Sequence, residues 1–293
     1  ILITGATSGI GYQFALRMIN LRRKVIIFCR NKSRQKEMLV NLKNDLPNFT
    51  EIEASVDLPI VDLSDLKSIE KCTAKILKEK TIIDSLILNA GLQYTGSDLI
   101  RYSSQNIELT FAVNHLSHHY LTNKLIESLL LSKTPKIIIT TSEVHNPLLP
   151  GGKVGLQANL GELTGLKSGP GFKMVDGNSK FNADKAYKDS KLCNILFGKE
   201  LSRRLSLLNY RLPVICWAPG LVIPRSKTGF FRHSRKNNEI GQRLFALIAR
   251  DILRITESPE GAGNALVKIE ENNENNHIAF RYITNKLIGL NVH

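Results

Sequence analysis

Residues Ile1 to Gly11 read ILITGATSGIG, and this stretch decides the fold. An apolar, β-branched run (1–4) reads as a strand. Glycines 5, 9 and 11 read as a turn, and the periodic apolar residues of 9–21 read as a helix. Glycines at those three places let the chain turn tightly. They also let a pyrophosphate approach the backbone and the helix N-terminus. Elsewhere such a turn is weak evidence; between a first strand and a first helix it marks a dinucleotide site, against the plainer reading of a mere tight turn.

The same rhythm continues along the chain. Strands are expected at 24–29, at 51–63 in two pieces, and at 85–89, 136–142, 213–219 and 277–283. Helices are expected at 32–46, 65–79, 104–131, 183–208, 239–254 and 258–271. Near-continuous apolar strands alternating with helices imply a parallel sheet covered on both faces. The fold class is therefore α/β: a single doubly wound, Rossmann-type domain over 1–293, with ligand crevices at the carboxyl ends of its strands. One segment breaks the rhythm: residues 143–182 hold 8 of the 20 glycines and little helical period. It is expected to be an irregular insertion, and with 221–257 as a lid it is expected to shape the substrate pocket.

Composition excludes several classes. No window approaches the ~18 continuous apolar residues of a membrane span. The four cysteines, Cys29, Cys72, Cys193 and Cys216, have no metal-like or disulfide-like spacing, which suits a reducing, cytoplasmic compartment. The formal charge of +14 is spread over short clusters with no nucleic-acid recognition motif, so no nucleic-acid partner is expected. A basic surface suits an anionic cofactor or substrate, and equally peripheral contact with an anionic membrane. The chain begins inside a strand without a methionine, so its N-terminus is expected to be trimmed and no targeting segment can be read. Oligomeric state is left open.

A residue selecting the cofactor is expected about 20 positions past the glycines. Nineteen past Gly11 stands Arg30, where NAD selection would place an acid. Arginine can grip a 2′-phosphate with two parallel hydrogen bonds, so NADPH is the expected cofactor. Asp62, in VDLSDL, is placed to accept from an adenine amino group or to cap the next helix, a role Ser64 could also fill. Asn89, Ala90 and Gly91 end the fourth strand where the backbone must pass close to the cofactor.

Tyr187 and Lys191, four apart in KAYKDSKLCN, share one helix face. A phenol titrates near pH 10, so proton exchange near neutrality needs ~4 kcal/mol of preferential phenolate stabilisation. An ammonium one turn away and a positively charged nicotinamide can supply it, and Lys191 can also hold the nicotinamide ribose. Ser142 is placed to bond the substrate oxygen or the phenol, and Asn114 to hold a water linking Lys191 to solvent. His115, His118 and His119 lack a carboxylate or thiol partner nearby in sequence, so no metal is expected. Cys193 reads as core more than catalyst.

Together TGATSGIG, VDLSDL, NAG, VNHLSHH, Ser142 and YKDSK resemble the short-chain dehydrogenase/reductase superfamily along essentially the whole chain. That resemblance implies hydride transfer, with Asn114, Ser142, Tyr187 and Lys191 as the catalytic set. It adds Thr7, Ser8, Ile10, Leu63, Pro219 and Gly220 to the cofactor contacts, beside Tyr187 and Lys191 themselves. ANLGELTGL (158–166), MVDG (174–177), KAYKDSKLCN and TGFFR (228–232) resemble the light-dependent protochlorophyllide reductases, as does the long spacing from Ser142 to Tyr187. This implies reduction of a large hydrophobic substrate, with the proton from Tyr187. Leu88, Gly91 and Leu221 depart from that family, which usually has cysteine, alanine and cysteine there. A dark carbonyl reductase of the retinol-dehydrogenase type is the alternative, and a non-catalytic NADP sensor is an alternative of another class.

Overall fold

The computed structural model describes residues 1–222, 256–272, 279–286 and 289–292. Seven strands run parallel: β1 (Leu2–Ile3), β2 (Val25–Ile27), β3 (Val56–Asp57), β4 (Ser85–Leu88), β5 (Lys136–Thr140), β6 (Val214–Ala218) and β7 (Phe280–Lys286). The sheet order is β3-β2-β1-β4-β5-β6-β7-β8. From β1 the chain first builds outward through β2 and β3, then returns to add β4 on the other side. The order therefore reverses between β1 and β4, where a doubly wound sheet opens its ligand crevice.

Alternation along the buried strands explains why their sequences look uniformly apolar. Ile3, Ile27, Ile87, Ile138, Ile215 and Trp217 face one core, shared with α1 (Gly9–Asn20), α2 (Lys32–Asp45) and α10 (Pro259–Glu271). Leu2, Leu86, Leu88, Ile137, Ile139, Val214 and Cys216 face the other. There they meet α4 (Leu66–Lys78), α6 (Ser117–Leu130) and α9 (Ala183–Leu207). With both faces covered, neither set of side chains can be polar.

Three expectations are corrected. The strand expected at 51–63 shrinks to β3, preceded by helix α3 (Phe49–Ile52). Phe49 and Ile52, three apart, both reach the core, and a helical turn puts such a pair on one side. The helix expected over 104–131 starts at α5 (Leu109–Phe111), where both Glu108 carboxylate oxygens accept from the Thr110 and Phe111 N–H groups at 2.8 Å. It then widens into a π-helical turn over Ala112–Leu116 before α6. The wholly parallel sheet gains an antiparallel edge, β8 (Gly289–Val292), that the sequence did not reveal. The expected helix 239–254 and most of the expected lid 221–257 lie outside the described residues.

The insertion is packed onto the domain. Residues 143–182 carry short helices α7 (Pro150–Lys153) and α8 (Thr164–Lys167) and bury Phe172, Met174, Val175 and Phe181. Phe172 and Val175 pack with Phe111 and Cys193, so the insertion folds back over α5 and α9. Among the described residues, only Val144 of this segment lines the cavity at the strand ends. No helix among the described residues is long and apolar enough to cross a membrane.

Candidate active site

A cavity of about 540 Å³ opens at the carboxyl ends of β1, β2, β4, β5 and β6. The glycine-rich turn forms one wall: Gly5, Thr7, Ser8, Gly9, Ile10 and Gly11 all line it. Gly5 has φ +68°, and a Cβ there would meet Ala90 Cα at 2.5 Å. A Cβ on Gly11 would meet Asn89 Nδ2 at 2.5 Å. Side chains at these positions would fill the cradle or push the turn off β4. The turn is pinned by Asn89, whose Nδ2 donates to the Gly5 carbonyl at 3.1 Å and the Thr4 carbonyl at 3.2 Å. Thr4 Oγ1 in turn accepts from the Asn89 and Ala90 N–H groups, each at 3.0 Å. Asn89, Ala90 and Gly91 thereby line the cavity.

Arg30 stands on the lining at the end of β2, and Arg34 joins it from the first turn of α2. Asn31 holds that turn by accepting from the Arg34 N–H at 2.9 Å, while the Arg34 guanidinium pairs with Glu37 at 2.7 Å. Arg34 was not anticipated, because only the docking of α2 beside β2 brings it to the cavity. Asp62 and Leu63 line the same end. Ser64 donates to Asp62 Oδ1 through its N–H at 2.9 Å and its hydroxyl at 2.7 Å. The cap of α4 is Asp65, so neither Asp62 nor Ser64 fills that role.

The opposite wall carries Ser142, Tyr187 and Lys191, with Pro219 and Gly220 below them after β6. Asn182 starts α9 by accepting from the Lys185 N–H at 2.8 Å, and the next turn brings Tyr187 and Lys191 to the cavity. Ser142 and Tyr187 are hydrogen-bonded through their side chains. The Lys191 ammonium lies 5.6 Å from the Tyr187 ring centre and donates to the Thr140 carbonyl at 3.0 Å. Thr140 is itself held from beneath. The indole N–H of Trp217, a fully buried residue paired with Thr140 across β5 and β6, donates to Thr140 Oγ1 at 3.0 Å. Neither Thr140 nor Trp217 carries a recognisable motif.

Electrostatics differ from expectation at Tyr187. Burial pushes its phenol above the ordinary value, and the Ser142 hydrogen bond opposes this. Burial also pulls the Lys191 ammonium down to about 8. Both groups are thus drawn toward neutrality by desolvation. The downward pull on the phenol among protein groups comes from Ser142 rather than Lys191.

Asn114 does not line the cavity. Its Oδ1 accepts from the Leu92 N–H at 2.8 Å, and its Nδ2 donates to the Leu92 carbonyl at 3.0 Å and to Ser190 Oγ at 3.1 Å. The Asn114 carbonyl accepts from Asn194 Nδ2 at 3.1 Å. The π turn therefore aims Asn114 at the loop after β4, where it braces the apolar side of the cavity. His118 turns inward to Thr4 Oγ1 at 3.0 Å, and burial pulls it down to about 3, whereas His115 and His119 meet the Phe197 ring edge to face. Cys193 is buried against Phe111 and Phe172, its thiol pushed up to about 12.

Beside polar Gln13, Gln93 and Glu260, the rest of the lining includes an apolar group, Leu92, Leu109, Val113, Val144, Leu221 and Val222. These residues have no shared motif, because they come from separate loops and helices that only the fold brings together.

The chain has relatives. The family model of the short chain dehydrogenase matches residues 1–152, and the chain belongs to that family. It is 31% identical over 243 residues to retinol dehydrogenase 14 of Mus musculus, covering 80% of this chain and 63% of the relative. It is 30% identical over 213 residues to the protochlorophyllide reductase of Avena sativa, covering 70% of this chain and 65% of the relative. The chain thus spans somewhat under two thirds of the length of these curated relatives. Among solved structures, a serine dehydrogenase complexed with NADP+ superposes with a TM-score of 0.65 at 20% identity, covering 96% of this chain and 92% of that one. At that identity the likeness speaks for the fold.

Proposed function

We propose that the chain is an NADPH-dependent oxidoreductase that reduces a large hydrophobic substrate, with Tyr187 as proton donor. One observation carries this reading: Tyr187, Ser142 and Lys191 share a cavity with the glycine-rich turn and Arg30, and its wall includes an apolar group of Leu92, Leu109, Val113, Val144 and Leu221. The residues fit the cofactor. Gly5 and Gly11 leave a cradle that a Cβ would fill, while Arg30 and Arg34 offer two guanidinium groups where a 2′-phosphate would lie. When bound, NADPH supplies the hydride.

The protein's own groups handle the proton. Ser142 orients the Tyr187 phenol, and the phenolic proton passes to the substrate atom opposite the one that receives hydride. Ser142 stabilises the phenolate that remains, and Lys191 places its ammonium on the same cavity wall, where it can hold the cofactor. Because burial holds Lys191 near 8, its charge falls as pH rises through that value. NADPH affinity is therefore expected to weaken above about pH 8 and to lose this dependence in Lys191→Met, as read by cofactor titration from pH 6 to 10.

The relatives support two substrates. Protochlorophyllide, reduced under light, matches the local stretches around Tyr187 and the packed insertion. A hydrophobic carbonyl reduced in the dark is favoured by Leu221, which stands in the cavity wall where the photoenzymes usually have a cysteine. The deciding experiment mixes the full chain with NADPH and protochlorophyllide and applies a light flash. A red-shifted product band appearing only after light supports the first reading. Its absence, together with dark oxidation of NADPH by all-trans-retinal, supports the second. Tight NADPH binding without turnover on either would leave a non-catalytic sensor and overturn the enzymatic reading.

A further inference from the structure

We propose that Lys188 is a positioning residue that fixes the substrate-side wall of the cavity to the turn of α9 bearing Tyr187. The inference rests on the reading of that cavity as a reaction site. Lys188 follows Tyr187 directly, yet its side chain is only 5% exposed. A long cationic side chain in such a place needs an explanation. Its ammonium has three N–H donors, and three backbone carbonyls receive them: Gly152 at 3.1 Å, Val154 at 2.5 Å and Leu156 at 3.0 Å.

These bonds close a ring of contacts. Tyr187 bonds Ser142, the last residue before the short helical turn Glu143–His145. His145 Nδ1 lies 2.6 Å from the Ser142 carbonyl, which steadies that turn and its member Val144 in the cavity wall. The turn packs against α7, and the Leu149 carbonyl accepts from the Gly152 and Lys153 N–H groups at 3.0 Å. From Gly152 to Leu156 the chain is then gripped by Lys188, one residue from Tyr187. Lys185 ties the next stretch to the same turn through the Asn159 carbonyl at 2.6 Å and Asp176 at 3.0 Å. Proton donor, its serine partner and the Val144 wall are therefore held as one unit, and Lys188 closes it. The cofactor cradle on β1 and β4 lies outside this ring.

The test compares Lys188→Met, which keeps length but removes the donors, with Lys188→Arg, which keeps charge and donors in another geometry. Three quantities are read on the full chain: hydrogen exchange of the peptide over 146–156, NADPH affinity, and kcat and KM. The turnover probe is protochlorophyllide under light, or all-trans-retinal in the dark if that is what the unaltered chain reduces. Lys188→Met is expected to exchange at least about tenfold faster over 146–156. KM should rise about tenfold with a smaller change in kcat, and NADPH affinity should stay within about twofold. Lys188→Arg is expected to fall between the two.

Unchanged exchange or unchanged KM overturns the proposal. So does an equal loss of NADPH affinity, which would mean Lys188 merely supports the whole fold. If the unaltered chain turns over neither probe, the functional reading fails, and exchange together with NADPH affinity decides whether the clamp exists.

Discussion

Replacing Tyr187 by phenylalanine is expected to lower turnover about 10²–10⁴-fold while leaving NADPH affinity nearly unchanged. That range corresponds to roughly 3–5 kcal/mol of lost barrier reduction. The substitution keeps the ring that packs beside Lys191 and removes only the hydroxyl bonded to Ser142. The glycine cradle, Arg30 and Lys191 remain, so binding should persist where proton delivery fails. Single-turnover kinetics with saturating cofactor checks this; turnover within threefold of the parent would remove Tyr187 from the chemistry.

The second large effect falls on stability. Asp189→Ala is expected to cost about 3–5 kcal/mol, because it strips a partner from a buried ammonium. Asp189 is fully buried, 2.6 Å from the Lys185 ammonium, and accepts from the Asn159 N–H at 2.9 Å. Asp176, at 3.0 Å, stays as a second partner for Lys185, which places the loss toward the lower end. Burial pushes the Asp189 carboxyl up more strongly than Lys185 and Asn159 pull it down. Denaturant unfolding of parent and variant, with the slope unchanged, reads the difference. Asp189→Asn keeps an acceptor for Asn159 and is expected to lose less.

What could be read from the sequence was what local rules dictate. The turn at Gly5, Gly9 and Gly11 needs glycine for its backbone, and the spacing of Tyr187 and Lys191 follows from the helical period. The alternation of strands and helices follows from burying both faces of one sheet. What escaped was what distant residues decide. Lys185 and Lys188 look like ordinary solvated lysines, and only the returning insertion shows them buried. The glycines of 143–182 suggested a loose pocket loop, yet Phe172 and Val175 anchor that segment over α5 and α9. The bonds of Asn114 to Leu92 depend on a π turn that no periodicity announces. Arg34, Thr140 and Trp217 acquire their places only through strand register and helix docking.

A dinucleotide site that accepts the 2′-phosphate would carry its own reporter. Trp217 is the single tryptophan, fully buried beside Thr140, which lines the cavity and accepts its indole N–H. Titrating the full chain with NADPH and separately with NADH, while following Trp217 emission, gives both affinities. Charge-assisted bonds from Arg30 and Arg34 should make NADPH bind at least about tenfold more tightly than NADH. Equal affinities, or no response to either cofactor up to millimolar concentration, would contradict the account.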